Sequence, residues 1–246
     1  MRYRQEPAFV LHARPWRETS VLVEVLSAEH GRLGLVARGV QTPKKQQLRA
    51  ALQPLQSIRF DAVQQGELAQ LQAVEAVDAA PLLRGEAALA AFYVNELCLR
   101  LTPRQSPQPE LHAAYALVRE RLRVGGVLAW TLRRFERDLL EALGSGLDFS
   151  TERGESPIDP VARYRLDPEA GPRRCGGEGI DACRDAAIGQ ALLDLAADVQ
   201  PDSGGLASLR LPLRAVLLHH LGGRGLKSWD MLGGLLRLDG GRHSSA

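Results

Sequence analysis

The sequence predicts an α+β protein in which a five-stranded N-terminal barrel is followed by an all-helical domain with an irregular insert. Two patterns along the chain support this prediction. Over residues 8–77, short apolar runs with partial period-two alternation are separated by turn-prone segments, which is typical of strands. After Pro81, apolar residues recur three and four positions apart, as they do on amphipathic helices. We therefore expect a barrel domain over residues 1–80 and a helical domain over residues 81–240.

The N-terminal domain is expected to contain five short strands. Their sequences are AFVLHA, SVLVEVL, RLGLVAR, LQSIRFDAV and ELAQLQAV. The longest connection, over residues 39–54, falls between the third and fourth strands and contains a helix-like piece, QQLRAALQ. A five-stranded Greek-key barrel with a helical insert at that point describes the OB-fold, a common platform for nucleic acids and oligosaccharides. A generic small barrel is the alternative.

The second domain is expected to be helical on both sides of an insert. Helices are predicted over residues 84–101, 109–124, 126–143, 185–199, 206–221 and 229–238. Gly144 follows the third helix, at a position where a glycine in the left-handed conformation commonly ends a helix. Residues 145–184 are rich in glycine, proline and charge, and contain one strand-like segment, ARYRL. We expect this stretch to form an irregular insert.

The composition is that of an ordinary globular protein with a formal net charge of +2. No stretch approaches the roughly 20 apolar residues of a membrane span, and the start, MRYRQEPAF, has charges and a proline where a secretory signal would be apolar. Cys98, Cys175 and Cys183 form neither a disulfide framework nor a zinc-knuckle spacing. These observations favour a cytoplasmic protein with free thiols and no membrane contact.

One segment departs from the overall charge balance. Residues 30–60, HGRLGLVARGVQTPKKQQLRAALQPLQSIRF, hold six Arg or Lys residues and no Asp or Glu. In a barrel of this kind, the third strand and the loop after it lie beside a face that commonly receives a nucleic-acid strand, where cations neutralise phosphates. Because the segment has no aromatic residue before Phe60, it favours contact with phosphates over stacking on bases. A merely solvated surface is the alternative.

The other compact candidate is the late segment HHLGGRGLKSWDML. His219 and His220 suggest a metal site, but neighbours on a helix point in different directions, and no Cys, Asp or Glu stands at a matching offset. A helix end capped by Gly222 explains both histidines better. Arg224 and Lys227 are candidate surface cations. Since no GxSxG, Walker or HExxH motif is present, we expect a protein that is not an enzyme, and a hydrolase using the two histidines is a distant alternative.

Five segments stand in a characteristic order along most of the chain. They are AFVLHARPWRETSVLVEVLSAEHGRLGLVARGV, YVNELCLRL, LRRFERDLLEALGSGLDF, ARYRL and HHLGGRGLKSWDML. This series resembles the landmarks of the RecO family of bacterial recombination mediators. The resemblance implies an OB-fold packed on a helical domain, binding of single- and double-stranded DNA, and annealing of complementary strands. It also implies partnership with RecR and with the single-stranded DNA-binding protein SSB, and help in loading RecA in the RecF pathway.

The resemblance also bears on the site residues and on metal. The candidates for DNA binding are the cations of the basic segment and those near the first turn: Arg14, Arg17, Arg32, Arg38, Lys44, Lys45 and Arg49. Many relatives carry a four-cysteine zinc module between the helices. Here the stretch LDFSTERGESPIDP has no CxxC, and Cys175 and Cys183 alone cannot complete a four-ligand site. We therefore expect a degenerate zinc-finger-like insert without metal, and no cofactor.

The resemblance further implies that the helical domain binds the SSB tail, which is acidic and ends in an aromatic residue with a free carboxylate. The helix LRRFERDLLEAL is expected to hold Arg133, Arg134 and Arg137 on outward positions, and guanidinium groups pair well with carboxylates. The candidates for the tail site are Arg133, Arg134, Arg210 and Arg214. Ordinary pairs within the helix, Arg134 with Asp138 and Arg137 with Glu141, are the alternative.

The function expected from these observations is that of a DNA-binding mediator in the cytoplasm, associated with the nucleoid during repair. A stand-alone OB-fold nucleic-acid-binding protein without mediator activity is the second candidate. Capture of an SSB tail peptide would separate the two, because the mediator alone needs that partner.

Overall fold

The chain packs as two compact units. The computed structural model describes residues 1–40, 45–152, 156–176, 183 and 185–231. The first unit is Met1–Val124 together with the described residues from Leu226 onward, and the second is Gly125–Gly225. In this division, the helices Gly85–Leu101 and Pro109–Val124 belong to the same unit as the barrel. The domain boundary predicted between residues 80 and 81 stays a prediction.

A closed five-stranded barrel forms the N-terminal part of the first unit. Its elements are β1 (Arg2–Trp16), β2 (Ser20–Ser27), β3 (Gly31–Ala37), α1 (Gln46–Ala51), β4 (Ser57–Gln65) and β5 (Leu68–Ala76). The strands follow the order β1-β2-β3-β5-β4, and β4 pairs with β1 to close the barrel. The β3–β5 pair is parallel and the other pairs are antiparallel. All five predicted strands and the helix between the third and fourth are present, so the predicted fold class is confirmed.

The interior of the barrel is filled by the side chains of alternate residues on each strand. On each strand every second residue points inward, and the inward positions carry aliphatic or aromatic side chains. Side chains at most 1 % exposed in this core include Val10, Val23, Val25, Leu33, Leu35, Ile58 and Phe60. Burial of a side chain of this size stabilises a fold by about 1.5–3 kcal/mol, so the core is the main source of stability for the barrel.

Strand β1 is buried on both faces. Val10 lies in the barrel core, whereas the ring of Phe9 faces outward and lies 5.0 Å from the ring of Tyr115. Tyr115 belongs to α3 (Pro109–Val124), which follows α2 (Gly85–Leu101). The guanidinium of Arg119, also on α3, donates a 2.6 Å hydrogen bond to the carbonyl of Leu55 and another to the carboxylate of Asp78. These contacts attach α3 to the outside of the barrel.

The second unit combines helices with small sheets. Its elements are α4 (Leu128–Ala142), β6 (Thr151–Glu152), β7 (Ser156–Pro157), β8 (Arg163–Asp167), β9 (Gly171–Arg174), β10 (Ala187–Ile188), α5 (Gly189–Ala196), α6 (Ser203–Ser208) and α7 (Arg210–His220). The strands form a three-stranded sheet, β10-β8-β9, and a two-stranded sheet, β6-β7. The predicted strand ARYRL is β8, in which Tyr164 is fully buried. The insert is therefore more regular than its glycine and proline content suggests.

The late helices differ from the prediction in their extents. The helix expected over residues 185–199 is shorter, because β10 pairs with β8 before α5 begins. The helix expected over residues 206–221 is divided into α6 and α7. Asp202 accepts a hydrogen bond from the amide of Gly205 and caps α6, while Pro212 has no amide hydrogen and fits the first turn of α7. Of the helix expected over residues 229–238, residues 227–231 are helical and the rest lies outside the described residues.

Two glycine caps are found where the sequence predicts them. Gly144, with φ +72°, follows α4, and the amide of Ser145 donates to the carbonyl of Leu140. Gly222, with φ +64°, follows α7. Both conformations are left-handed, so a residue with a Cβ would be strained at either position. Of the helices that the structure describes, none combines the length and the apolar character needed to cross a membrane.

Glu96 connects α2 to the C-terminal residues of the first unit. Glu96 is 8 % exposed, and its carboxylate accepts hydrogen bonds from the amides of Lys227 and Ser228, at 2.9 Å each, and from the Ser228 hydroxyl, at 2.7 Å. A carboxylate at the first turn of a helix meets amide hydrogens that have no partner within the helix. Glu96 therefore caps the helical segment 227–231 from outside it.

Glu96→Ala should lower the free energy of unfolding by about 3 kcal/mol, because three donors would lose a charged acceptor in a buried place. Urea unfolding at neutral pH measures this loss. Glu67→Ala, at an exposed carboxylate in the turn between β4 and β5, is the matched control and should change stability by less than about 0.5 kcal/mol. Equal stability of the two variants would contradict the capping role.

Candidate nucleic-acid interface

Three strand ends meet at one end of the barrel. The register pairs Trp16 at the end of β1 with Ser20 at the start of β2, and Val21 of β2 with Ala37 at the end of β3. Arg38 directly follows Ala37, so it leaves the strand at this end of the barrel. The turn at residues 17–19 and the connection that leaves β3 are thus neighbours, although they stand about twenty residues apart in the sequence.

A cavity of about 400 Å³ opens near this end of the barrel. It is lined by Ala13, Arg14, Pro15, Val21, Val40, Arg49, Leu52 and Gln53. Arg14 comes from β1 and Arg49 from α1, so two guanidinium groups from distant parts of the sequence line one concave surface with an apolar floor. Arg49 also donates a 3.2 Å hydrogen bond to the carbonyl of Val40, which orients its side chain.

Five of the seven predicted DNA-binding cations belong to this part of the barrel. We call them the basic rim: Arg14, Arg17, Arg38, Lys45 and Arg49. The first four are exposed and Arg49 is half-buried. Arg17, Arg38 and Lys45 have no ion pair with any residue that the structure describes, and Glu18 is the acidic residue of the adjacent turn. Unpaired cations beside a concave surface suit a ligand that carries several negative charges.

The other two predicted cations stand apart from the basic rim. Arg32 lies near the opposite end of β3, where its Nε donates a 2.9 Å hydrogen bond to the carbonyl of Thr102 and its Nη1 lies 3.3 Å from a carboxylate oxygen of Glu24. The same carboxylate pairs with Arg104, so Arg32 contributes to contacts between the barrel and the residues after α2. Burial lowers the pKa of Arg32 and Glu24 acts in the opposite direction. Lys44 lies outside the described residues.

Trp16 is a candidate that the sequence analysis missed. It is half-buried beside the basic rim, and the guanidinium carbon of Arg14 lies 5.5 Å from its ring centroid. In the sequence Trp16 lies outside the basic segment, whereas in the barrel the end of β1 and the end of β3 both lie beside the start of β2. The signal that could have found it is the tripeptide PWR at a predicted turn, because an aromatic residue in a turn beside an arginine has no core to fill.

The arginines of α4 are less available for binding a partner than the sequence predicts, because they have partners within the protein. The expected outward position of Arg133 is wrong: its side chain is buried, and its Nη2 donates a 2.5 Å hydrogen bond to Glu136, which is 1 % exposed. The sequence analysis assigned the apolar residues alone to the inner face. Arg133 and Glu136 are one turn apart, so both can lie on that face and neutralise each other there.

Arg134 and Arg137 have a partner far along the chain. Both form ion pairs with Asp198, which follows α5, and Arg137 also pairs with Asp138 at 2.8 Å. The helix pairs considered as the alternative, Arg134 with Asp138 and Arg137 with Glu141, are replaced by these contacts. The guanidinium of Arg134 also lies 5.5 Å from the ring of Trp130. The remaining tail candidates, exposed Arg210 and half-buried Arg214, lie one turn apart on α7.

The end of α7 and the segment after it hold the two histidines and the two surface cations named in the sequence analysis. Arg224 and Lys227 are exposed. The rings of His219 and His220 lie 5.3 Å apart in the last turn of α7, and burial, followed by the charge of His219, lowers the pKa of His220. In the described part of the chain, neither histidine belongs to a group of three metal-ligating side chains.

The one such group among the described residues is Glu6, Glu29 and His30. Glu6 already accepts hydrogen bonds from the Ser27 hydroxyl and the Glu29 amide, so its carboxylate has protein partners. In the insert, burial and a hydrogen bond with Cys183 raise the pKa of Cys175 to about 11, which keeps that thiol protonated near neutral pH. The metal-free insert stays a prediction.

The comparisons with known proteins agree along most of the chain. The family model described as "Recombination protein O N terminal" matches residues 1–80, and the model described as "Recombination protein O C terminal" matches residues 82–230. Proteins named "DNA repair protein RecO" are similar to this chain over most of its length. The protein of Stenotrophomonas maltophilia (strain R551-3) is 62 % identical over 232 residues, which cover 94 % of this chain and 97 % of the relative.

Two further relatives support the same assignment. The protein of Xylella fastidiosa (strain 9a5c) is 60 % identical over 94 % of this chain and 96 % of its own length. That of Xanthomonas euvesicatoria pv. vesicatoria (strain 85-10) is 57 % identical over 96 % of this chain and 99 % of its own length. Similarity at this level over nearly complete chains establishes the family. The chain therefore belongs to the RecO family, and the relatives named above are DNA repair proteins.

Proposed function

We propose that the protein is a recombination mediator in DNA repair. It binds single- and double-stranded DNA, anneals complementary strands and, together with RecR, helps to load RecA onto single-stranded DNA coated with SSB. It works in the cytoplasm, associates with the nucleoid during repair, and needs neither catalytic residues nor a cofactor. Membership of the RecO family and the closed N-terminal barrel support this proposal.

The observation that carries the proposal is the basic rim at one end of the barrel. Arg14 and Arg49 line a cavity, and Arg17, Arg38 and Lys45 are exposed near it without ion pairs among the described residues. Such cations neutralise phosphates and release counterions, a contribution to binding that is independent of base sequence. Annealing needs this property, because the protein must hold two strands before their sequences have been compared.

Trp16 offers a contact with DNA bases, whereas the cations of the basic rim contact phosphates. The half-buried indole of Trp16, beside the basic rim, can stack on an unpaired base while neighbouring cations bind the backbone phosphates. Bases in a duplex are already stacked within the helix, so this contact favours single strands. The barrel would then bind both forms of DNA through phosphates and prefer the single-stranded form through Trp16.

The SSB tail remains assigned to the helical domain, on Arg134 with Arg210 and Arg214. Arg133 is buried against Glu136 and would support the site from beneath rather than contact the tail. Because Arg134 and Arg137 are paired with Asp198, an acidic tail has to replace that carboxylate. Binding of the SSB tail distinguishes the mediator from the second candidate function, a stand-alone OB-fold nucleic-acid-binding protein, which is not expected to bind SSB.

The first prediction from the proposed function concerns salt dependence. Changing Arg14, Arg38 and Lys45 together to Ala should weaken binding of single- and double-stranded DNA whatever the base sequence. The slope of log affinity against log salt should become shallower by about 0.7 per lost contact on single strands and about 0.9 on duplexes. Titration of labelled oligonucleotides at several salt concentrations measures both quantities.

A matched triple variant controls for net charge. Arg2, Arg4 and Arg59 are also exposed on the barrel, and changing all three to Ala removes the same charge outside the basic rim. This control should keep most of the parental salt slope. Equal slopes in both triple variants would mean that DNA responds to overall charge, and the basic rim would lose its assigned role.

A second prediction concerns strand preference. Trp16→Leu should weaken binding of single-stranded DNA by about 1–3 kcal/mol, the contribution of one stacked base, and leave duplex affinity near that of the parent. Phe92→Leu, at an exposed aromatic residue of α2, is the control and should leave both affinities unchanged. Equal losses on single-stranded and duplex DNA would argue against stacking.

A third prediction concerns the SSB tail. Arg134→Ala should weaken tail binding by about 1–3 kcal/mol, the value of hydrogen bonds to a charged group. Asp198→Asn should instead tighten it, by up to about 1 kcal/mol, because Arg134 and Arg137 lose an exposed competitor. Asp198 has φ +57°, a conformation that Asn also adopts, so the fold is preserved. Calorimetry that finds both folded variants unchanged would place the tail elsewhere.

A further inference from the structure

A second concave surface lies in the first unit, in a place that the proposed DNA and tail sites do not use. We call it the α2 groove. It is a cavity of about 510 Å³ bounded by β1, the residues before β4, the segment before α2, α2 itself and Lys227. Its lining residues run along α2 from Ala88 to Arg100. At 1.5 Å per residue this stretch measures about 18 Å, the length of roughly five residues of extended peptide.

One end of the α2 groove is apolar. Leu82, Leu83 and Ala88 line it together with Phe92. Leu82 is 89 % exposed and Phe92 is 38 % exposed, so large apolar side chains that could have entered a core face solvent here. Apolar surface gathered in a concavity, rather than scattered, is typical of a binding site.

The other end of the α2 groove offers hydrogen-bond donors without acceptors. Asn95 is 5 % exposed, and its Oδ1 accepts a 2.6 Å hydrogen bond from the Tyr115 hydroxyl, which leaves the amide nitrogen as a donor. No residue that the structure describes accepts from that nitrogen. Because Asn95 lines the groove, this nitrogen can donate a hydrogen bond to an acceptor atom of a ligand there.

Two unpaired cations accompany Asn95 in the lining. The side chains of Arg100 and Lys227 are exposed and form no ion pair with any described residue. Glu96 is the acidic residue of the lining, and its carboxylate is already occupied by the amides of Lys227 and Ser228. This end of the groove is therefore complementary to a carboxylate.

From this arrangement we propose that the α2 groove binds an extended segment of a partner protein, about five residues long. The segment has carboxylate side chains at one end, held by Asn95, Arg100 and Lys227, and apolar side chains at the other, packed against Leu82 and Phe92. Because two cations and an amide donor lie at this end, we assign the carboxylates to the side chains of consecutive Asp or Glu residues, which supply more than one carboxylate, rather than to a single chain terminus. The inference does not rest on DNA binding.

The experiment uses the full-length chain and a labelled peptide blocked at both ends, in which two aspartates are followed by two alanines, a leucine and a phenylalanine. Fluorescence anisotropy without DNA should show saturable binding. Arg100→Glu should weaken it about tenfold, the effect of losing one charged hydrogen bond, and so should Leu82→Asn, which removes an apolar contact. Both residues are exposed, so folding should be unaffected, and circular dichroism verifies this.

The matched control is Arg84→Glu, an equal charge change at an exposed residue just before α2 that does not line the groove. It should leave peptide binding unchanged. A peptide with lysines in place of the aspartates should bind the Arg100→Glu, Lys227→Glu double variant better than it binds the parent. Charge exchange of this kind is expected from direct contact and not from a loss of structure.

Several outcomes would overturn the proposal. They are an absence of saturable binding, equal losses in Arg100→Glu and Arg84→Glu, and binding that requires a free C-terminal carboxylate. Sedimentation that shows a dimer of the parent and a monomer of Arg100→Glu would also overturn it, because the groove would then hold a second copy of this chain. Each outcome can occur while the DNA and SSB experiments succeed, so failure here leaves the proposed function standing.

Discussion

The burial of β1 on both faces is the constraint on which the first unit depends. Its inner side chains, such as Val10, complete the barrel core, and its outer ones, such as Phe9, pack against Tyr115 of α3. A strand of 15 residues can do both because its register shifts twice, once against β4 and once against β2. Such shifts bend a strand and increase its twist, so β1 can close the barrel and still present an apolar face to the helices.

This constraint also determines where cations are free. Where helices or connecting segments cover the barrel, arginines have carboxylate partners: Arg32 and Arg104 share Glu24, and Arg119 and Arg123 share Asp78. Glu24 and Arg119 are buried, and a buried charge without a partner is strongly destabilising. At the end of the barrel where Trp16 meets Ser20, the outer face is open to solvent, and arginine and lysine side chains need no partner there.

The elements predictable from the sequence are those whose pattern is local. The barrel strands follow period-two alternation, and α3 follows apolar spacing so closely that its predicted and observed ranges agree. Contacts between distant residues could not be predicted in this way. Asp198 lies about sixty residues from Arg134, and nothing in the sequence of α4 indicates that it replaces Asp138 as a partner. Arg133 shows a related limit, because its burial depends on Glu136 having the complementary charge on the same face.

The basic rim illustrates why a small net charge says little about binding of a polyanion. The formal charge of +2 is a sum over the chain, in which many arginines are cancelled by acidic partners within a few ångströms. Counterion release depends instead on the cations that remain unpaired and lie close enough together for one strand to reach. The strand register places Arg38 at the end of β3, and α1 brings Arg49 to the cavity that Arg14 lines, so few basic residues suffice for the cluster that we propose as a phosphate site. Under the proposed function, the absence of acid from residues 30–60 has a physical reason, because a carboxylate there could pair with the cations that are proposed to bind phosphates.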